Sequence, residues 1–281
     1  MGVLAPLDTT GHNSPSRKRR RCGASDQRGP MENNKQILIL GDGDCSFSEA
    51  LARVKNISLS NLCATEIMSE NEWVSRHGEQ LKSDLEERGL SMTFGVDARD
   101  TDLVSEYKEI IFMFPFVPQN RFGTVDLIRE FLQNVNCKSK LGTMVQLGLA
   151  TQKAGTCIVA FQYGKDMPAE KLILQCIVQS LKVGKEYCLD LNKIGGPSYM
   201  EELENEEYRH RTSFDGTCDH ALWKYNDKTV FFLEVVRCPG DEQGKVQAAK
   251  CAFTKLRAHF KDRSEDRIPE DTLDPLRPPT P

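Results

Sequence analysis

The residues best placed to do chemistry stand four in a row. Gly41-Asp42-Gly43-Asp44 lies between the apolar run QILIL and the segment CSFSEALARV. A glycine turn at the carboxyl end of a strand lets backbone approach a ligand where a Cβ would block it, and doubly wound sheets bind ligands at that edge. The kind of ligand follows from what is missing. The third glycine of a GxGxxG dinucleotide fingerprint is Ser46 here, and no GxxxxGK[ST] loop is present to hold phosphates. Two carboxylates in the turn repel a pyrophosphate and attract a cation, so Asp42 and Asp44 suit the sulfonium and amino groups of S-adenosylmethionine. Taken alone, such a turn can also be purely structural.

Two more acids extend the set. Glu66 follows the short apolar run Leu62-Cys63-Ala64-Thr65, where folds of this kind place an acid on ribose hydroxyls. Asp97, followed by Ala98, closes the run Met92 to Val96 and could accept from an adenine amino group. Either acid could be a solvated loop residue; three successive strand ends that each carry a carboxylate make a set. The expected cofactor-binding residues are therefore Gly41, Asp42, Gly43, Asp44, Ser46, Glu66, Asp97 and Ala98, and no metal is expected. Beyond the fourth strand, Phe114, Pro115 and Phe116 form the expected catalytic edge. Their rings could hold a base drawn out of its stack, or be core phenylalanines on a buried strand end. His210, between Arg209 and Arg211, could touch an RNA phosphate or pair with the acidic run from Glu201 to Glu207.

The elements that must position these residues read as alternating strand and helix. Strands are expected at QILIL, Leu62 to Thr65, Met92 to Val96, Glu109 to Phe114 and Thr156 to Gln162. Helices are expected over FSEALARV, capped by Ser46 or Ser48; from Asn71 to Arg88, stopped by Gly89; over Thr124 to Val135; over Ala169 to Leu181; and over Lys245 to His259. Glu186 to Leu191 and Lys228 to Val236 would close the sheet edge as an antiparallel pair. The fold class is α/β and Rossmann-like, a mostly parallel sheet with helices on both faces. One domain, 35–260, is expected between tails at 1–34 and 261–281 whose composition suits disorder.

The 281 residues contain no apolar run long enough to span a bilayer, so no membrane partner is expected. The ten cysteines lie mostly within apolar runs, as in TCIVAF, which suits reduced thiols; Cys218 and His220 are too few for a metal site. The net charge of −4 hides an asymmetry: residues 1–34 hold six basic and three acidic side chains, and the remainder is acidic. The run Arg17-Lys18-Arg19-Arg20-Arg21 fits a nuclear import receptor or an RNA arm, though a solvated tail would look the same. The acidic body argues against broad nonspecific RNA binding. A monomer in the nucleus is expected, with the cytoplasm as alternative.

GDGDCSFSEAL resembles the GEGDFSF motif of the 25S rRNA (uridine-N3)-methyltransferase family, which also takes in the N-terminal domain of the ferredoxin-fold anticodon-binding domain-containing proteins. FGVDARD, IIFMFPF and EEYRHRTSFDG resemble the family's FGVDAT, IIFNFPH and YEHRRT segments, in the same order. The resemblance implies a Rossmann-like methyltransferase that uses S-adenosylmethionine on large-subunit rRNA, in the nucleolus. Departures bear on that implication. Asp42 replaces a glutamate and Cys45 a phenylalanine; the acid after strand two falls at Met68, leaving Glu66 to serve the ribose. Met113 and Phe116 stand where the family has Asn and His, and Met113 cannot orient a target nitrogen as an amide would. A noncatalytic binding module of the same fold, or a methyltransferase acting on a protein or small molecule, are the rival readings.

Overall fold

Four aliphatic residues in succession can be satisfied only where both faces of a strand are covered, and Ile37–Leu40 (β1) is buried at every position in the computed structural model. The residues described are 36–115, 117, 121–151, 156–162, 165–183, 186–195, 197–206, 208 and 227–260. They belong to one unit, Asn34–Pro281. After β1 come helix α1 (Ser46–Lys55), strand β2 (Leu62–Glu66), helices α2 (Glu70–His77) and α3 (Glu79–Glu87), strand β3 (Ser91–Phe94), strand β4 (Glu109–Met113) and helix α4 (Arg121–Lys138). Strands β5 (Met144–Thr151), β6 (Thr156–Gln162) and β7 (Lys165–Pro168), helix α5 (Ala169–Lys182), strand β8 (Tyr187–Gly195), helix α6 (Pro197–Asn205), strand β9 (Asp227–Arg237) and helix α7 (Glu242–Phe260) follow.

Strands β3, β2, β1, β4 and β5 lie side by side in that order, each parallel to the next. The chain winds outward from β1 to β3 and then returns to β4, so the switch point falls between β1 and β4. Beyond β5 the sheet closes with β9 antiparallel to β5 and β8 antiparallel to β9, which is the expected edge pair. Alternation divides the core. Leu38 and Leu40 pack with α4, α5 and α7, while Ile37 and Ile39 pack with α1, α2, α3 and α6. Helices thus cover both faces of a Rossmann-like sheet.

Four local expectations are corrected. The fifth parallel strand is Met144–Thr151, whose buried Gln146 and Gly148 interrupt its apolar pattern. The expected strand Thr156–Gln162 exists, but as half of an antiparallel β6–β7 arm that meets β5 at Thr151 and Cys157. The single helix expected from Asn71 to Arg88 is two, because Gly78 adopts φ 92° and both ends α2 and begins α3. Neither Ser46 nor Ser48 caps α1; loop carboxylates take its first amides, as described below. Among the described residues no helix is long and apolar enough to cross a membrane.

Candidate functional site

Between β1 and α1 the backbone is left-handed at three of five residues: Gly41 (φ 66°), Gly43 (φ 63°) and Cys45 (φ 64°). Glycine adopts this conformation freely; for Cys45 it costs about 1–2 kcal/mol. The tight path lets the loop acids turn back onto the helix they precede. Asp42 accepts from the Phe47 and Ser48 amides through separate oxygens at 3.2 and 3.1 Å, and from the Ser48 hydroxyl. Asp44 accepts from the Ser46 amide at 3.1 Å. Two carboxyl groups thus take the first amides of α1, which have no partner within the helix. Removal from water pushes the Asp42 carboxyl up to about 8; the Ser48 hydroxyl opposes this, the Asp44 charge adds to it, and the Ser48 and Phe47 amides oppose it more weakly.

Glu66, the last residue of β2 and 3% exposed, grips the loop from the side. One oxygen accepts the Gly43 amide at 3.0 Å and the other the Ile67 amide at 2.8 Å. On the carbonyl side of Gly43, the Trp73 indole N–H donates at 2.6 Å. Trp73 is wholly buried on α2, its ring against His77 and Phe94. Gly43 is therefore fixed at both of its backbone polar groups by side chains from two other elements. The sequence reading missed Trp73; the signal available was a lone tryptophan in an otherwise polar helix.

Asp97 sits beside this cluster through its backbone, since the Val96 amide donates to the Glu66 carbonyl at 3.0 Å. Its carboxylate points to Arg99, whose guanidinium donates at 2.6 to 3.0 Å and whose amide donates at 2.9 Å. The Arg99 side chain holds the Asp97 carboxyl below the usual range. Ala98 is buried against α4, its carbonyl accepting from Asn134. Direct hydrogen bonds thus join Gly43 to Glu66 and Asp44 to Ser46 and tie Asp42 to Phe47 and Ser48, whereas Asp97 reaches the cluster only through the strand ends.

At the end of β4, Met113 lies over Gly148 of β5 so closely that a Cβ there would stand 2.7 Å from the thioether methyl carbon. Phe114 adopts φ 52°, rare for a bulky residue and worth about 1–3 kcal/mol of strain. Alternation would send its ring to the α4 side with Phe112; it packs instead in the α1-side cluster with Met113. Its amide still donates to the Gly148 carbonyl at 2.9 Å, so the turn is made without losing the β5 contact. Phe114 and Pro115 are both buried. Phe116, His210 and Arg17 to Arg21 lie outside the described residues.

The crevice beside the loop is lined by Gly41, Asp42, Asp44, Ser46, Met113 and Tyr208, and its free volume is about 10 Å³. That is room for a single water. Tyr208, 4% exposed, fills the remainder, its ring edge-on to Phe47 at 5.3 Å. It follows α6, which Arg53 ties to α1 through Glu206 at 3.0 Å and Lys228 ties to β9 through Glu204 at 2.5 Å. Sequence reasoning quoted Tyr208 within EEYRHRT without giving it a place in the site. Among the described residues no group of three or more His, Cys, Asp or Glu side chains could hold a metal ion.

Residues 38–185 match the model of the BMT5-like family, described as rRNA (uridine-N3-)-methyltransferase BTM5-like. No curated protein matches the sequence. Similar solved structures include the O-methyltransferase of a trans-AT PKS multienzyme of Brevibacillus brevis in complex with S-adenosyl-L-homocysteine. It is 12% identical, covers 86% of this chain and 76% of its own, and has a TM-score of 0.44. A 16S rRNA (adenine(1408)-N(1))-methyltransferase variant from Catenulisporales acidiphilia is 10% identical, with 74% and 90% covered and a TM-score of 0.42.

Proposed function

Because the chain belongs to the BMT5-like family of rRNA (uridine-N3-)-methyltransferase-like proteins, we propose that it transfers a methyl group from S-adenosylmethionine to RNA, at N3 of a uridine in large-subunit rRNA. The observation that carries this reading is the Glu66–Gly43–Trp73 clamp beside Asp42 and Asp44 at the switch point. The chemistry of these residues suits the cofactor, and the crevice, at about 10 Å³, must widen to admit it. Gly41 and Gly43 offer backbone without a Cβ, Asp42 and Asp44 offer carboxyl groups to its cationic end, and Glu66 brings a carboxylate at the end of β2 within the same cluster, where a ribose hydroxyl would be met. Asp97 would meet the adenine amino group in exchange for part of its Arg99 contact. When bound, the cofactor supplies an electrophilic methyl group on a positively charged sulfur.

The protein's own part is then positioning and exclusion of water. The β4 end, with Met113 at the crevice and the strained Phe114 beside it, is where a base drawn out of its stack would be held. A noncatalytic binding module is the second reading, favoured by Met113 in place of an amide and by the closeness of Tyr208 to the loop. Labelled cofactor incubated with total large-subunit rRNA separates the two. Incorporation as N3-methyluridine supports the enzyme, and cofactor binding without incorporation supports the module. Label found on protein or a small molecule instead would replace the RNA substrate. The run Arg17-Lys18-Arg19-Arg20-Arg21 is proposed as a nuclear import signal. A fluorescent fusion with all five changed to alanine is expected to lose nuclear enrichment, and unchanged enrichment would remove that role.

A further inference from the structure

On the sheet face opposite α1, helices α4 and α5 leave a groove of about 590 Å³ between them. We propose that this groove binds a single-stranded stretch of the RNA substrate away from the methylated base, an inference that rests on the RNA-methyltransferase reading. Among the described residues, Arg129, Lys171 and Lys182 line it and no carboxylate does, although the whole chain carries a net charge of −4. A polyanion meeting an acidic body must find its grip where cations outnumber acids. Arg129 is held in place by Gln175, to which it donates at 3.0 Å, and by Asp126 at 3.4 Å.

The wall also carries an unmet polar group. Asn136 lines the groove at 4% exposure, and its side-chain carbonyl oxygen has no hydrogen-bond partner. Buried acceptors are rarely left so, and a carboxamide can read a base edge through paired donor and acceptor. An amphipathic peptide would meet one exposed large apolar residue in the lining, Val183 at 39%, since Leu132 and Cys176 are almost wholly covered, at 1% and 7% exposure. The groove also points the right way. Helix α4 follows β4, and α5 leads into β8, which runs parallel to β5, so both helices start at the carboxyl edge of the sheet where Phe114 lies. At a rise of ~1.5 Å per residue, the cations on α5 are about 16 Å apart along the helix, enough for a short run of nucleotides leading away from the site.

The test is fluorescence anisotropy of a labelled oligouridine decamer with the full chain, alongside calorimetry with S-adenosylhomocysteine. Lys171→Glu with Lys182→Glu is expected to weaken RNA binding at least tenfold and to flatten its salt dependence, leaving S-adenosylhomocysteine affinity and melting temperature unchanged. The pair Lys171→Ala and Lys182→Ala should show a smaller loss in the same direction. Unchanged RNA affinity in both variants, or no binding of the decamer by the wild type at low salt, overturns the groove. So does polyglutamate binding there more tightly than RNA, which would make it an acidic-protein site. Failure of the methyltransferase reading shows separately, as absent cofactor binding or absent methyl transfer in the wild type.

Discussion

Asp42 serves two ends at once: it accepts from the first-turn amides of α1 and waits, withdrawn from water, beside a crevice. Its pKa of about 8 against 3.8 means that the folded chain holds a proton the unfolded chain has released between about pH 4 and 8. The stability this contributes is complete below about pH 4 and is lost as pH rises through 8. A cationic ligand favours the ionised form, so its binding should release a proton at pH 7 and tighten with pH until about 8. Calorimetry in buffers of different ionisation enthalpy reads that proton, and Asp42→Asn should abolish the dependence. Trp73 acts by a different route. Replacing it with Phe keeps most of the buried volume but leaves the Gly43 carbonyl without its 2.6 Å donor, a loss of about 1–3 kcal/mol by denaturant melt. Cofactor affinity should fall with it, because Gly43 would no longer be held from both sides.

Among the elements, β4 and β5 are the pair on which the catalytic edge depends. Met113 fills the place a side chain at Gly148 would occupy, so Gly148→Ala must push the thioether aside, toward the crevice it already lines. The expected destabilisation is about 1–3 kcal/mol. Met113→Ala should then cost less in the Gly148→Ala background than in the wild type. Additive losses in a double-mutant cycle would mean that the two residues do not compete for one space. Residue order could not announce this contact. Gln146 and Gly148 break the apolar alternation of β5, while the β-branched run at Thr156 advertised a strand more loudly and belongs to the arm. The break at Gly78 was legible in principle, since a glycine inside a helical pattern is a weak point; that it splits the helix reflects φ 92°, which Ala would adopt only under strain.

At the scale of the molecule, the order of strands and the place of the site were readable because one stretch carries both. A buried strand, a glycine turn and a helix in succession fix the switch point, and Glu66 arrives at it through the parallel register of β1 and β2. What could not be read is where side chains turn and what arrives from afar: Phe114 on the other face, the Asp97 carboxylate on Arg99, and Tyr208 lying on the crevice from a segment far along the chain. The claim on which the function turns is that the loop acids receive a positively charged sulfur. Calorimetric titration with S-adenosylmethionine and with S-adenosylhomocysteine, whose sulfur is neutral, tests that charge because the two ligands differ only in the sulfonium methyl group and the charge it brings. The structure-based expectation is that the wild type binds both, and that Asp44→Asn weakens the sulfonium ligand about tenfold while changing the neutral one much less. Equal losses for the two ligands, or no binding of either by the wild type, would contradict it.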